Sequence, residues 1–334
     1  MRVAQFMRKP VSSAYSMETI YADIRKHLPA DMAVTLHTCR FPSRGVLGRL
    51  RDAWTVRRHQ ADVNHVTGDV HYLTYFLDPR RCVVTMHDCV ALDRQTGLRR
   101  WLLWLLWYWL PERRCQLIIT VSHASKERLL KYLRCPAGKI QVIHNPVGED
   151  YRPTPKEFNE VRPQILIVGT AQNKNLERMA EALQGLACEA VVIGRMRPSQ
   201  VEAFRQAGVT FVNHVDLPRE SVVACFVDCD ILAFASTYEG FGLPIVEAQA
   251  VGRPVVTSNT HSMPEVAGGA ACLVDPFNVA SIRAGIRRVI EDREYRQSLV
   301  QKGLLNVNRF KVQHVAGHYA DVYRQIGSRQ DLHR

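Results

Sequence analysis

The clearest chemistry in this sequence lies in the run YEGFGLPIVE, at positions 238–247. Glu239 and Glu247 are separated by eight positions, a spacing that suits two carboxylates gripping different hydroxyls of one extended ligand. Glycines flank Phe241 on both sides, and they allow backbone N–H groups to approach an anionic ligand closely. A predicted helix follows and adds the positive end of its dipole. The run predicts a ligand site, and the alternative is a plain strand-to-helix turn with a solvated glutamate.

Short apolar runs rich in β-branched residues alternate with helix-like segments from one end of the chain to the other. The predicted strands cover 2–7, 32–39, 63–67, 82–88, 116–122, 140–145, 164–169, 189–194, 209–215, 230–236, 254–259 and 271–276. The clearest predicted helices cover 125–133, 175–185, 198–208, 278–292, 294–307 and 311–326. This order predicts parallel sheets built from right-handed βαβ units, in an α/β fold. Ligands of such sheets bind beyond the carboxyl ends of the strands, where the run 238–247 falls.

One segment interrupts the alternation and is the best candidate for a linker. Residues 146–163 contain four prolines and seven charged groups. The segment divides the chain into two doubly wound, Rossmann-like halves, which we assign as domains at 1–150 and 164–310. A helix in the remaining segment, 311–334, is a candidate to cross back to the first domain. Two such domains facing each other would place one ligand site in a central cleft.

Composition and charge narrow the possible functions. The 334 residues are 46% hydrophobic and 23% charged, which is typical of a soluble globular protein and excludes general disorder. The net charge is +12, and residues 1–150 account for +10 of it, with 23 basic and 13 acidic groups. Such a basic half suits an anionic membrane surface, a phosphorylated substrate or simple solvation. We expect no nucleic-acid partner because no nucleic-acid-binding motif accompanies the charge.

The run WLLWLLWYWL, at 101–110, lies between two pairs of arginines and defines a basic, aromatic segment at 99–114. A spanning helix needs about 20 apolar residues, so this run is too short to cross a bilayer. A helix that is apolar all round is usually buried, whereas aromatic residues bracketed by arginines are also typical of a helix at a membrane surface. Both interpretations stay open. Nine cysteines and an N-terminus without an apolar stretch favour reduced thiols and a cytoplasmic location.

Several motifs together resemble one family. The stretch STYEGFGLPIVEA, at 236–248, resembles the donor-binding motif of the retaining glycosyltransferases of family 4, which have the GT-B fold of two facing Rossmann-like domains. Further matches follow the family's order: VSHASK at 121–126, VIHNPV at 142–147, VGT at 168–170, NKNL at 173–176 and VVTSN at 255–259. The resemblance is close over about 84–310 and weak over 1–80.

The resemblance implies a role for each matching residue of the donor site. Glu239 would hydrogen-bond hydroxyls of the donor sugar, and Glu247 would take the ribose hydroxyls of the nucleotide. Lys174 would lie on the diphosphate and stabilise the departing charge, and His87 would line the reaction centre. Backbone contacts to the donor are implied for Gly169, Thr170, Gly240, Phe241, Gly242 and Leu243. The family often has a basic pair where Asn173 precedes the lysine here, so one arginine contact is missing.

The acceptor side is less defined. The family's glycine-rich first loop reads PVSSAYS here, in which Ser12 and Ser13 could donate to phosphate. The run NHVTGDVHY, at 64–72, is unusually polar for a strand end and contributes Asp69 and His71, while Asp88 follows another strand. Each could contact an acceptor, and a polar strand-to-helix loop is the alternative.

The residues and the resemblance together predict a cytoplasmic or membrane-peripheral glycosyltransferase. It would move a hexose-type sugar, with retention, from a nucleotide-diphosphate donor to a saccharide or lipid-linked saccharide acceptor, in bacterial surface polysaccharide synthesis. We expect no cofactor and no essential metal. Two rival functions are a non-catalytic scaffold that kept the fold and a sugar-nucleotide epimerase. Nucleobase, donor sugar, acceptor and oligomeric state stay undetermined at this stage.

Overall fold

The computed structural model describes residues 1–10, 15–43 and 45–328, and it divides them into two compact units. The first unit comprises Met1–Pro146 together with Val312–Ser328, and the second comprises Val147–Lys311. The chain therefore leaves the first unit after position 146 and returns to it at position 312.

The first unit is built on six parallel strands in the order β2-β1-β3-β4-β5-β6. The strands are β1 (Arg2–Met7), β2 (Ala33–Thr38), β3 (Val63–Val66), β4 (Cys82–Thr85), β5 (Leu117–Thr120) and β6 (Ile140–Val142). The first helices are α1 (Tyr15–Lys26), α2 (Val46–Thr55), α3 (Val90–Asp93), α4 (Gly97–Leu103), α5 (Leu110–Arg113) and α6 (His123–Leu133). Strands β3 to β5 are buried along their whole length, which explains the mostly apolar sequence of β4 and β5, whereas β3 carries the buried polar residues Asn64 and His65.

The second unit repeats the plan, with six parallel strands in the order β12-β11-β10-β7-β8-β9. The strands are β7 (Gln164–Val168), β8 (Glu189–Ile193), β9 (Thr210–His214), β10 (Ile231–Phe234), β11 (Val255–Ser258) and β12 (Cys272–Val274). The helices are α7 (Leu176–Leu183), α8 (Pro198–Gln206), α9 (Arg219–Asp228), α10 (Leu243–Ala250), α11 (Met263–Ala267), α12 (Val279–Glu291) and α13 (Arg293–Asn306). The predicted α/β architecture of two Rossmann-like domains is confirmed.

The last described helix, α14 (Val312–Ser328), belongs to the first unit and is anchored there by a buried polar network. The Tyr323 hydroxyl lies 2.8 Å from Nδ1 of His65 on β3 and accepts a hydrogen bond of 3.0 Å from the Gln5 amide on β1. On its other side, Nε2 of His65 lies 2.8 Å from the Thr85 hydroxyl on β4. Because every member of this network has a partner, the helix docks in one position.

The basic, aromatic segment at 99–114, called the tryptophan-rich segment below, is neither fully buried nor fully exposed. Its middle, Trp104–Trp109, is a π-helical turn between α4 and α5. One face packs on the first unit, where Tyr108 is buried and the Trp104 indole donates to the Tyr132 carbonyl oxygen. The opposite face leaves Trp101 half exposed. None of the described helices is long and apolar enough to cross a bilayer.

Candidate functional site

The two strongest predicted side chains of the second unit lie in contact. Strands β7 and β10 are neighbours in the sheet, so the loops at their carboxyl ends meet. Lys174 ends a 3₁₀ turn after β7, Glu239 lies in the loop after β10, and Nζ of Lys174 is 2.7 Å from Oε1 of Glu239. Both side chains are mostly buried, with 18% and 15% of their surface exposed. The pair therefore combines a cation and a carboxylate at the edge where this fold binds ligands.

Asn173, at the position where the resemblance often implies a basic residue, also contacts this pair. Its side-chain amide donates to Oε1 of Glu239 over 3.1 Å and to the Tyr238 carbonyl oxygen over 2.9 Å. It therefore orients the carboxylate and holds the loop after β10. Asn173 contributes a donor to the site but no positive charge.

Gly169 makes room for the lysine. Its φ of +90° is a conformation that glycine adopts at low cost. A Cβ atom at this position would lie 2.9 Å from Cε of Lys174, so only glycine leaves that side chain in place. Nζ of Lys174 also lies 4.4 Å from the centre of the Phe234 ring, a favourable cation–π distance.

The loop between Glu239 and α10 is fixed by hydrogen bonds from Ser262. The Ser262 hydroxyl contacts two carbonyl oxygens, those of Glu239 at 2.9 Å and Phe241 at 2.8 Å. Phe241 is buried, and Gly242 takes a left-handed conformation with φ of +103° directly before Leu243 starts α10. This turn directs the N-terminus of an eight-residue helix toward the carboxyl edge of the sheet. Such a terminus attracts phosphate.

Glu247 lies farther along α10 and has a raised pKa. Burial raises the pKa of the Glu247 carboxyl to about 7, while a hydrogen bond from the Tyr151 hydroxyl acts in the opposite direction. The proximity of Arg219 and Lys174 also favours the ionised form. Glu247 can therefore accept hydrogen bonds as a carboxylate near neutral pH, and it changes protonation state there.

Three residues near Glu247 were not predicted. Arg219 makes a bidentate ion pair with Asp150, with Nη2 2.7 Å from Oδ1, and this pairing lowers the pKa of Asp150. Tyr151 is buried beside the pair. Asp150 and Tyr151 lie in the segment interpreted as a linker, and no pattern marks Arg219 at the start of α9. Gly148 is a local sign that another group packs closely against this part of the chain. A Cβ atom at position 148 would lie 2.2 Å from Nη2 of Arg219.

Thr170 uses its side chain to connect two loops of the second unit. Its hydroxyl donates to the Arg195 carbonyl oxygen over 2.8 Å, and its own carbonyl oxygen accepts from the Gln200 amide over 3.0 Å. These bonds tie the loop after β7 to the loop after β8. Arg195 itself forms an exposed ion pair of 2.8 Å with Asp216.

In the first unit, His87 follows β4 and is half-buried. Its Nε2 atom has no hydrogen-bond partner among the residues that the structure describes. Burial, together with the neighbouring His71 and Arg8, lowers the pKa of His87 to about 4. The imidazole is therefore neutral at neutral pH.

His71 follows β3, and its side chain is hydrogen-bonded to the tryptophan-rich segment at 99–114. Its Nδ1 lies 2.7 Å from the Trp107 carbonyl oxygen, so this nitrogen carries the proton and donates. The Trp107 indole in turn donates to the Asp69 carbonyl oxygen over 3.1 Å. Burial lowers the pKa of His71 as well.

The two predicted aspartates differ. Asp69 is exposed and lies 3.9 Å from Nη1 of Arg8. Asp88 accepts a 3.0 Å hydrogen bond from the Val90 backbone N–H, which begins a short helix, and its carbonyl oxygen accepts from the Tyr108 hydroxyl. The Asp88 carboxylate thus has a structural contact already. Ser12 and Ser13 lie outside the described residues.

Two family models match the chain in succession. The model "Glycosyltransferase Family 4" matches residues 16–151, and "Glycosyl transferases group 1" matches residues 152–305. Together they cover most of the chain.

Curated relatives agree with the models. O-antigen chain mannosyltransferase B of Escherichia coli is 27% identical over 83% of this chain and 77% of its own length. MMP alpha-(1->4)-mannosyltransferase of Mycolicibacterium hassiacum is 27% identical over 74% of this chain and 66% of its own length.

Solved structures share the fold. Anabaena HepE, in complex with UDP and glucose, aligns with a TM-score of 0.75 at 18% identity over 96% of this chain and 99% of its own. WaaG, a glycosyltransferase involved in lipopolysaccharide biosynthesis, aligns with a TM-score of 0.72 at 16% identity over 97% and 99% of the two chains.

Proposed function

Because the chain belongs to the group 1 glycosyltransferases of family 4, we propose that it transfers a hexosyl residue from a nucleotide-diphosphate sugar to a hydroxyl of a saccharide or a lipid-linked saccharide. The anomeric configuration of the sugar is retained. The observation that carries this proposal is the Lys174–Glu239 pair at the carboxyl edge of the second sheet, beside the N-terminus of α10.

The donor is held through charge and hydroxyl contacts. In this proposal the diphosphate lies on Lys174 and the N-terminus of α10, where both the ammonium and the helix dipole are positive. Glu239 accepts hydrogen bonds from sugar hydroxyls, and ionised Glu247 accepts them from the ribose. The loop from Gly240 to Leu243 adds backbone N–H donors.

Transfer then proceeds on one face of the sugar. The bond between the anomeric carbon and the phosphate oxygen breaks, and the acceptor oxygen attacks from the same face. The acceptor proton passes to the departing phosphate oxygen. Lys174 stabilises the negative charge that develops on that phosphate in the transition state. This stabilisation is the main way in which the protein can lower the activation barrier. Neutral His87 contributes a hydrogen-bonding ring without adding charge. Since Lys174 and the helix supply the positive charge, we propose transfer without an essential metal.

Mannose is the first donor sugar to test, because the two relatives named above are mannosyltransferases. One of them acts on O-antigen chains, and WaaG is involved in lipopolysaccharide biosynthesis. These names support a role in bacterial surface polysaccharide synthesis.

We also propose that the segment 99–114 contacts the inner face of the cell membrane. Trp101, Leu102 and Leu106 are exposed within it, and Leu98 is exposed directly before it. Arginines flank these apolar side chains, which suits anionic lipid headgroups. Sedimentation with anionic vesicles at low salt tests this contact, and no sedimentation would contradict it.

A thermal-shift screen of UDP, GDP, ADP, dTDP and CMP, with their sugar conjugates, tests the donor site. A ligand at 100 times its Kd stabilises the folded protein by about 2.7 kcal/mol, a measurable rise in Tm. The rise should disappear in Glu247→Ala. No rise with any nucleotide would contradict the proposal and favour a scaffold, and conversion of the donor sugar without any acceptor would favour an epimerase.

A further inference from the structure

The first unit contains an apolar cavity that the proposed donor chemistry does not use. The cavity has a volume of about 1070 Å³ and lies between strand β2 and helix α2. This volume is slightly above the range of about 300–1,000 Å³ that is typical of small-molecule sites. Its apolar wall includes Leu47, Leu50 and Trp54 of α2, which are 73%, 49% and 54% exposed. Large apolar side chains grouped in this way indicate a binding surface.

The mouth of the cavity is positively charged. Arg40 and Arg51 line it, and the Arg57 guanidinium lies 4.3 Å from the centre of the Trp54 ring. Among the described residues that line the cavity, Asp52 is the one carboxylate, and it is buried. The cavity therefore combines an apolar interior with a cationic rim, which complements an amphiphile with an anionic head.

Asp52 also shapes the wall of the cavity. Its carboxylate accepts hydrogen bonds from the backbone N–H groups of Arg40 at 3.1 Å and Phe41 at 3.2 Å. These bonds fix the loop after β2 against α2. A wall held by buried hydrogen bonds is preorganised, so a ligand does not have to order it.

The cavity adjoins the loop that carries the predicted acceptor residue His71. Leu73 and Phe76 line the cavity, and both belong to the 3₁₀ segment His71–Phe76 that starts at that histidine. Phe76 packs edge to face on Trp54, with ring centres 5.7 Å apart. A chain in the cavity would thus lie against the 3₁₀ segment that starts at His71.

We propose that this cavity binds the hydrocarbon chain of the acceptor, an amphiphile that carries a phosphate or diphosphate head. The chain lies between α2 and β2, and the anionic head lies by Arg40 and Arg51. The identity of this ligand as the acceptor rests on the proposed transferase function, whereas its chemistry rests on the cavity. The site would select lipid-linked acceptors over free saccharides.

Titration of the full chain with dodecyl phosphate, at concentrations where the probe is monomeric, tests the cavity directly. Isothermal calorimetry should give a Kd at least 10-fold lower than that for inorganic phosphate or for dodecyl maltoside. The double variant Leu47→Ser/Leu50→Ser should weaken binding about 10-fold or more, and Arg40→Gln/Arg51→Gln should remove the preference over dodecyl maltoside. Leu305→Ser is the matched control, because Leu305 is 71% exposed in the second unit.

Unchanged binding in both double variants would overturn the proposal. Attachment to phosphatidylglycerol vesicles without binding of monomeric dodecyl phosphate would overturn it too, since a flat membrane contact would then explain the exposed leucines. Nucleotide-induced thermal shifts, measured on the same variants, report on the donor site independently of the cavity. Dodecyl phosphate binding without any nucleotide shift would support the cavity and contradict the transferase function, and the reverse result would overturn the cavity alone.

Discussion

Nζ of Lys174 lies 2.7 Å from Oε1 of Glu239, so the two residues implied to hold the donor are in contact with each other. A diphosphate that binds Lys174 must share an ammonium that Glu239 already uses. The Asn173 amide, 3.1 Å from the same carboxylate oxygen, can keep Glu239 in place when the lysine turns to phosphate. The pair thus links sugar binding to phosphate binding through three side chains.

Lys174→Ala and Glu239→Gln should each lower the transfer rate about 10²- to 10³-fold with folding intact, because each removes a group aimed at developing charge or at the sugar. Single-turnover transfer kinetics and circular dichroism measure both properties. The control is Arg197→Ala, which breaks a more exposed 3.0 Å ion pair with Glu177 in the same unit and should leave the rate unchanged. Near-wild-type rates in both site variants would contradict the assignment.

Gly169→Ala should reduce transfer at least about 10-fold by displacing the lysine. The new Cβ would lie 2.9 Å from Cε of Lys174, and a φ of +90° adds backbone strain of about 1–3 kcal/mol. Gly208→Ala is the matched control, since Gly208 has a φ of +64° and open space within 4 Å of its Cβ position. Both variants should lose stability, measured by Tm, and only the first should lose activity. Equal transfer rates would show that the lysine position does not depend on Gly169.

Glu247 should make the second unit less stable as the pH rises. Its pKa of about 7 in the folded protein exceeds the ordinary value of 4.5, because burial favours the neutral acid. Between these two pH values the folded state therefore binds more protons than the unfolded state, and stability falls by up to about 3 kcal/mol as the pH rises through the window. Scanning calorimetry of wild type against Glu247→Gln from pH 4.5 to 8 measures this. A constant difference between the two proteins would contradict the raised pKa.

Tyr151→Phe should shift the pH dependence of nucleotide binding. Ionised Glu247 is the form that accepts ribose hydroxyls, so affinity should rise with pH through about 7. The Tyr151 hydrogen bond lowers the pKa of Glu247, so its removal should move the midpoint of the affinity curve to higher pH. Affinity measured across pH 5.5 to 8.5 by calorimetry would reveal the shift. Tyr132→Phe, in the first unit, is a control that should leave the midpoint where it is.

His65 should make the first unit sensitive to acid. Burial lowers the pKa of His65 to about 3, below its ordinary 6.5, so the folded state binds fewer protons than the unfolded state between those pH values. Stability is present above about pH 6.5 and falls with decreasing pH, by at most about 1.4 kcal/mol per pH unit for one proton. All five tryptophans lie at 54–109, so their fluorescence follows this unit alone. His65→Gln should flatten the pH profile, and His318→Gln, at an exposed position on α14, should not.

The fold was largely predictable, and the reason is burial. Each of the twelve predicted strand ranges contains the observed strand, because most of these strands are buried and carry short runs rich in apolar, β-branched residues. The predicted ranges extend up to three residues beyond the observed ends, as at 82–88 against Cys82–Thr85. The sequence does not show where the ladder hydrogen bonds stop, so the first loop residues after a strand are included in the predicted strand.

The site was predictable only in part. Residues such as Glu239 and Glu247 lie in one short motif whose glycines and helix start are visible in the sequence. The contact between Tyr151 and Glu247 joins distant positions, and the Arg219–Asp150 pair depends on how α9 lies in the unit. The Asp88 carboxylate accepts from the Val90 N–H, a structural contact that its sequence neighbours did not indicate.

The return of the chain to its first unit sets an order for biogenesis. During synthesis, Val147–Lys311 is a contiguous stretch that can close its own core as soon as it emerges from the ribosome. The earlier stretch lacks one of its packing elements until the end of synthesis, because His65 meets its partner Tyr323 only 258 residues later. Until α14 is made, Nδ1 of His65 lacks its partner, while Nε2 already contacts Thr85, and the face of the sheet that α14 covers is exposed. An incomplete chain is therefore left with a defective first half and an intact second half, and the exposed face would mark it for proteolysis.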